Sequence, residues 1–122
     1  MTKTENKSYD LEERTAKFAE NIVLFAKIIK RNAVNLPLVN QLVKSATSIG
    51  ANYMEANGAS SKRDFKNKIS ICKKEARETK YWLRIIGKAN QEYRSKCREL
   101  WQEAQELTLI FSKIILTLKT KE

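Results

Sequence analysis

The chain of 122 residues contains no histidine. That removes the commonest general base of enzyme active sites and the commonest metal ligand. Proline occurs once and glycine three times, which argues against a fold of short strands joined by tight turns. The glycines form no phosphate-cradling loop. Cysteine occurs only as Cys72 and Cys97. Two thiols so far apart build neither a structural zinc site nor a secreted disulfide framework. No apolar run approaches the roughly 18 residues of a membrane span. The opening stretch MTKTENKSYD is polar and lacks the apolar core of a signal peptide. These absences predict a cytoplasmic protein with reduced thiols and no membrane association. They predict no catalytic residues, no cofactor and no metal, and hence a protein that is not an enzyme.

What is present is helix. Four segments carry apolar residues in alternating steps of four and three, a mean of about 3.5 residues, the signature of helices packed along a shallow-angle seam. The first spans about 10–31, with Phe18, Ile22, Phe25 and Ile29 on the seam and Asp10 with Glu13 as a capping box. The second spans about 37–57, with Leu38, Leu42, Ser45, Ile49, Asn52 and Ala56. Pro37 suits its first turn and Asn35 is the candidate cap. The third spans about 62–87, capped by Ser61 with Asp64, and carries Phe65, Ile69, Cys72, Ala76, Thr79, Leu83 and Ile86. The fourth spans about 92–119, with Tyr93, Cys97, Leu100, Ala104, Leu107, Phe111, Ile114 and Leu118. Both cysteines fall on seams, as small buried hydrophobes do.

The breaks between segments are short, which forces consecutive helices to lie antiparallel. The prediction is an all-α, antiparallel, up-down-up-down four-helix bundle over residues 10–119, preceded by a flexible segment at 1–9. Fraying is expected at both chain ends. Apolar residues also spill beyond the seams: Val23, Leu24 and Ile28; Ile71, Trp82 and Ile85; Trp101, Leu109, Ile110, Ile115 and Leu116. Such a surplus marks either a subunit interface or a wide core stripe. The first reading makes the protein a homo-oligomer.

Charge is distributed unevenly. Twenty-four Lys and Arg against fourteen Asp and Glu give +10 and a pI near 9.7. Residues 59–88 hold ten bases against three acids, +7 of that excess. A domain this basic attracts polyanions, although net charge also serves solubility alone. Within the third helix Lys66, Lys73 and Lys80 are seven apart, and so are Arg77 and Arg84. Each lies one position past a seam residue, so the five form one flank stripe. It runs about 27 Å from Lys66 to Arg84 at 1.5 Å per residue. Such a stripe matches a row of phosphates. The alternative is a solvated face neutralised by Glu99, Glu103 and Glu106 of the fourth helix. No helix-turn-helix, zinc-finger or RNA-recognition signature is present, so a sequence-independent binder is expected.

Ser48, Asn52 and Glu55 share one face of the second helix, and Glu75 and Glu78 lie on the third among Lys74, Arg77 and Lys80. With Asn52 on the seam, these residues predict a structural polar network that fixes the register of the two helices. A di-metal cluster built from Glu55, Glu75 and Glu78 would lack the Glu-x-x-His pairs of such sites.

The stretch Ser45-Ala46-Thr47-Ser48-Ile49-Gly50-Ala51-Asn52-Tyr53-Met54-Glu55-Ala56 resembles the second helix of a bacterial four-helix bundle family. That family is named for reading frames inside intervening sequences of 23S ribosomal RNA genes. Asp64-Phe65, followed by Lys68-Ile69-Ser70-Ile71-Cys72-Lys73-Lys74-Glu75-Ala76-Arg77-Glu78-Thr79-Lys80-Tyr81-Trp82-Leu83, resembles its third helix. The resemblance covers about residues 10–118. Many members have Gly where this chain has Ala56, and Gly58 here follows two residues on. The resemblance implies a homopentameric ring of bundles with a basic surface suited to nucleic acid. It also implies distant kinship with the accessory protein of diversity-generating retroelements, which works beside a reverse transcriptase. No catalytic residues come with it. The reading is therefore a non-enzymatic, homo-oligomeric binder of structured RNA or DNA, with phosphate contacts from Lys66, Lys73, Arg77, Lys80 and Arg84. The alternative is a homo-oligomeric scaffold that docks an acidic protein partner or a polymerase.

Overall fold

The computed structural model describes residues 7–120, with side chains from Leu11 to Lys119. The expected flexibility of the first residues and the fraying of the last fall mostly outside the described residues. Four helices follow one another: α1 (Lys7–Ile28), α2 (Asn35–Asn57), α3 (Lys62–Ala89) and α4 (Arg94–Thr120). A single 3-10 turn, Gln91–Tyr93, leads into α4. They form an antiparallel up-down-up-down bundle with no strand among the described residues. The seam between α1 and α4 is the thinnest.

The seams of the sequence are the core of the molecule. Phe18, Ile22 and Phe25 of α1, Leu42 and Ile49 of α2, Ile69, Leu83 and Ile86 of α3, and Leu107 and Phe111 of α4 are buried. Each such side chain stabilises the fold by about 1.5–3 kcal/mol relative to exposure. One register differs. On α2 the buried residue after Ile49 is Tyr53, packed against Phe111 with ring centroids 6.2 Å apart, and Asn52 is only half-buried. Asn52 turns its amide to its own helix, donating to the Ser48 carbonyl at 2.8 Å. An aromatic ring gains more from the core than an amide that already has a local partner.

Ser61 caps α3, its extended backbone letting the hydroxyl accept from Asp64 N–H at 3.0 Å. Two other cap expectations need correction. Helix α1 already runs through Asp10 from Lys7, so Asp10 is not its cap. At α2 it is Asn32 whose side chain accepts from Val34 and Asn35 N–H, at 3.1 and 2.8 Å.

Asn35 does something else. It lies 2% exposed and exchanges two hydrogen bonds with Asn90, at 3.0 and 2.8 Å. Asn35 Nδ2 also donates to the Lys30 carbonyl, and Asn90 Nδ2 to that of Ile86. In an up-down-up-down bundle the α1–α2 and α3–α4 turns share one end, and this amide pair ties them together. Tyr93 completes the tie. Its hydroxyl accepts from Lys30 N–H and donates to the Ile28 carbonyl, while its ring packs edge-on to Phe25.

Two glycines permit close helix approach. A Cβ on Gly50 would lie 3.2 Å from Thr15 Oγ1 on α1, and one on Gly87 would lie 3.3 Å from Cys97 Cβ on α4. The apolar surplus divides. Ile71, Trp82, Ile85, Trp101, Ile110 and Ile115 are half-buried and widen the core. Leu24, Ile28, Leu109 and Leu116 remain 57–65% exposed.

Candidate nucleic-acid interface

Helix α3 turns one flank to α2 and the other to α4, and the two differ in charge. Toward α2, Lys68 donates to Glu55 at 2.8 Å. Burial, and next the charge of neighbouring Glu78, push the Glu75 carboxyl above the usual range, while Lys74 and Lys44 pull it back. The buried link between the helices is a hydroxyl chain: Thr79 donates to Ser45 at 2.9 Å, and Ser45 to the Leu42 carbonyl at 3.2 Å. The Cys72 thiol donates to the Ile49 carbonyl at 3.5 Å.

The predicted polar network is therefore not brought together as one unit. Ser48 donates to the Lys44 carbonyl and Asn52 to that of Ser48, both within α2. Glu55 pairs with Lys68, and Glu75 sits beside Glu78 on α3. Short polar side chains on a helix find backbone acceptors three or four residues back, and that local option wins here. Ser45 and Thr79, both seam residues, do the joining instead. Their signal in the sequence was a hydroxyl at a core position on each of two adjacent helices. Asn35 and Asn90 had a signal too, an amide in each of two turns at the same end.

The flank toward α4 carries the predicted basic stripe. At 100° per residue, Lys66, Lys73, Arg77, Lys80 and Arg84 fall within an arc of about 60°. Arg77 and Arg84 are exposed, and Lys66, Lys73 and Lys80 are half-buried. Lys66 is not free. Lys80 donates to Gln105 at 2.6 Å and lies 5.3 Å from the Trp101 ring centroid. Both partners are neutral, so its charge is held in place without being cancelled. No ion pair engages Lys73, Arg77 or Arg84 among the described residues.

The glutamates of α4 do not face this stripe. Glu103 receives two hydrogen bonds from Arg14 of α1, both at 2.8 Å, and Glu106 a third at 2.8 Å. Those bonds hold the Arg14 guanidinium firmly cationic. Glu99 lies 3.5 Å from Lys96 on its own helix. Helix α4 thus shows carboxylates to α1, and Trp101 and Gln105 to α3.

No group of three or more carboxylate or thiol side chains is placed to hold a metal among the described residues. Burial pushes the Cys72 thiol up to about 12 and the Cys97 thiol up to about 11, so both stay protonated and unreactive at neutral pH. No helix among the described residues is long and apolar enough to cross a membrane.

A four-helix antiparallel bundle with one cationic flank is the class of protein that this geometry defines. The chain belongs to the 23S rRNA-intervening sequence protein family, whose model matches residues 7–115. It is similar to a crystal structure, at 1.70 Å resolution, of a protein of unknown function from the S23 ribosomal protein family of Bacteroides thetaiotaomicron. The two share 33% identity with a TM-score of 0.78, over 85% of this chain and 96% of that one. No curated protein matches the chain.

Proposed function

We propose that this protein is a non-enzymatic, cytoplasmic binder of structured RNA or DNA that works as a homo-oligomer. One observation carries the reading: on the α4-facing flank of α3, Lys73, Arg77 and Arg84 have no ion pair among the described residues, and Lys80 rests against a neutral amide and indole. Lys73, Arg77 and Arg84 contact phosphates directly, with Lys66 and Lys80 beside them. A helix face of this kind meets a phosphate row by charge and spacing alone, so binding is independent of base sequence. The exposed Leu24, Ile28, Leu109 and Leu116 support self-association. The family resemblance suggests five subunits.

Gel shifts with a structured RNA and a DNA duplex test the binding, and light scattering tests the assembly. At low salt both nucleic acids are retarded, and reversing Lys73 and Arg77 abolishes retention while the particle keeps its mass. No retardation at low salt contradicts the binding reading. Loss of assembly on charge reversal makes the stripe a subunit contact.

A further inference from the structure

The α3–α4 turn end holds a cleft of about 740 Å³ between the two helices. Four cations line it: Arg84 and Lys88 from α3, Arg94 and Arg98 from α4. All four are exposed, and none has an ion pair among the described residues. No carboxylate is among the lining residues. On each helix the two cations are four residues apart, so each pair stands on one helix face. Four like charges around one concavity repel one another and favour an anion between them. The cleft also has an aromatic wall, the half-buried indole of Trp101, with Lys80 stationed over its ring. Gly87 in the cleft lining leaves room for the Cys97 side chain, so the helices meet closely at its base.

Cations on both walls and an aromatic surface beside them match the two parts of a nucleotide. The volume is that of a small-molecule site, too small to take in a duplex. We infer that this cleft binds an unpaired nucleotide, its base stacked on Trp101 and its flanking phosphates held by Arg84 and Lys88 on one side and Arg94 and Arg98 on the other. The inference rests on the proposed nucleic-acid binding and deepens it. The α3 stripe lies along a duplex, and Arg84 at its end leads an adjoining single strand into the cleft. The ligand is thus a duplex–single-strand junction.

The source of the nucleotide and the independence of the two surfaces are tested together. Trp82 Nε1 is buried without a hydrogen-bond partner among the described residues, so Trp82→Phe loses no bond and leaves Trp101 as the only tryptophan. In this background, oligouridylate, a blunt RNA duplex and uridine monophosphate are titrated against indole fluorescence. Binding of each labelled strand to the unaltered protein is followed by anisotropy. The expected result is quenching by oligouridylate, weak quenching by the mononucleotide and none by the duplex. Arg94→Ala with Arg98→Ala, and separately Trp101→Leu, lower oligouridylate affinity about tenfold, the scale of one base stack, and leave duplex affinity unchanged. Quenching by the mononucleotide equal to that by the strand makes the cleft a free-nucleotide site and overturns the strand assignment. Duplex binding by anisotropy with no Trp101 response to oligouridylate overturns the cleft and spares the stripe. Quenching by oligouridylate with no duplex binding supports the cleft and removes the stripe. No binding of any probe removes both.

Discussion

The two flanks of α3 share one backbone and differ in what their neighbours offer. Toward α2, charge is matched within the protein: Lys68 has Glu55, and Lys74 and Lys44 lie near Glu75. Toward α4, Lys80 meets an amide and an indole, while Glu103 and Glu106 of α4 are engaged by Arg14 of α1. A cation with an internal carboxylate gains little from an external anion. A cation without one keeps its field for whatever arrives. The difference teaches that the net charge of a helix says less about binding than the sign of the groups facing each of its flanks.

Charge reversal should expose that contrast most strongly. Lys73→Glu with Arg77→Glu replaces two attractions by two repulsions and is expected to lower RNA affinity about a hundredfold or more at moderate salt. Lys68→Glu changes net charge on the other flank and should alter affinity far less. Equal losses, measured by anisotropy, would erase the distinction between the flanks.

Stability responds in the opposite place. Thr79→Val keeps the shape of a buried side chain on the α2 side and removes its hydroxyl from Ser45. A loss of about 1 kcal/mol in urea unfolding is expected, the worth of one buried hydrogen bond. Arg77→Ala, exposed and unpaired, should leave unfolding unchanged within about 0.5 kcal/mol.

Glu75 provides a subtler check. Its carboxyl is raised by burial and by Glu78, so the fold disfavours its charged form. A carboxyl raised in the folded state costs stability above its folded pKa, and that cost fades as pH falls and it protonates. Glu75→Gln should therefore raise the melting temperature slightly at neutral pH, and the gain should shrink in acid. A constant gain across pH would mean that Glu75 is not strained. The smallest effect is chemical. Cys72 and Cys97 should resist iodoacetamide in the folded protein and react only on unfolding, as mass spectrometry would show.

Much of the fold was legible because seam residues recur every three or four positions and burial follows that spacing. Asn52 and Tyr53 mark where spacing alone fails. Two adjacent residues compete for one core position, and the outcome depends on Phe111 of a distant helix. The polar links were harder to read. Ser48 and Asn52 had acceptors within α2, whereas Ser45, Thr79, Asn35 and Asn90 bond to residues far away in the chain. The stripe itself was legible as a pattern on one helix, but its surroundings were not. On α4, Glu103 and Glu106 lie on one side of the core face, and Trp101 and Gln105 on the other. Both α1 and α3 flank α4, and only the hand of the bundle decides which side each receives.

Whether the cations of α3 bind phosphates is tested most directly by the salt dependence of duplex binding. On DNA each phosphate neutralised contributes a slope of about −0.9 to the plot of log affinity against log salt. Removing Lys73 and Arg77 as alanines should flatten that slope by about 1.8, two phosphates' worth. An unchanged slope, with affinity intact, would contradict the account.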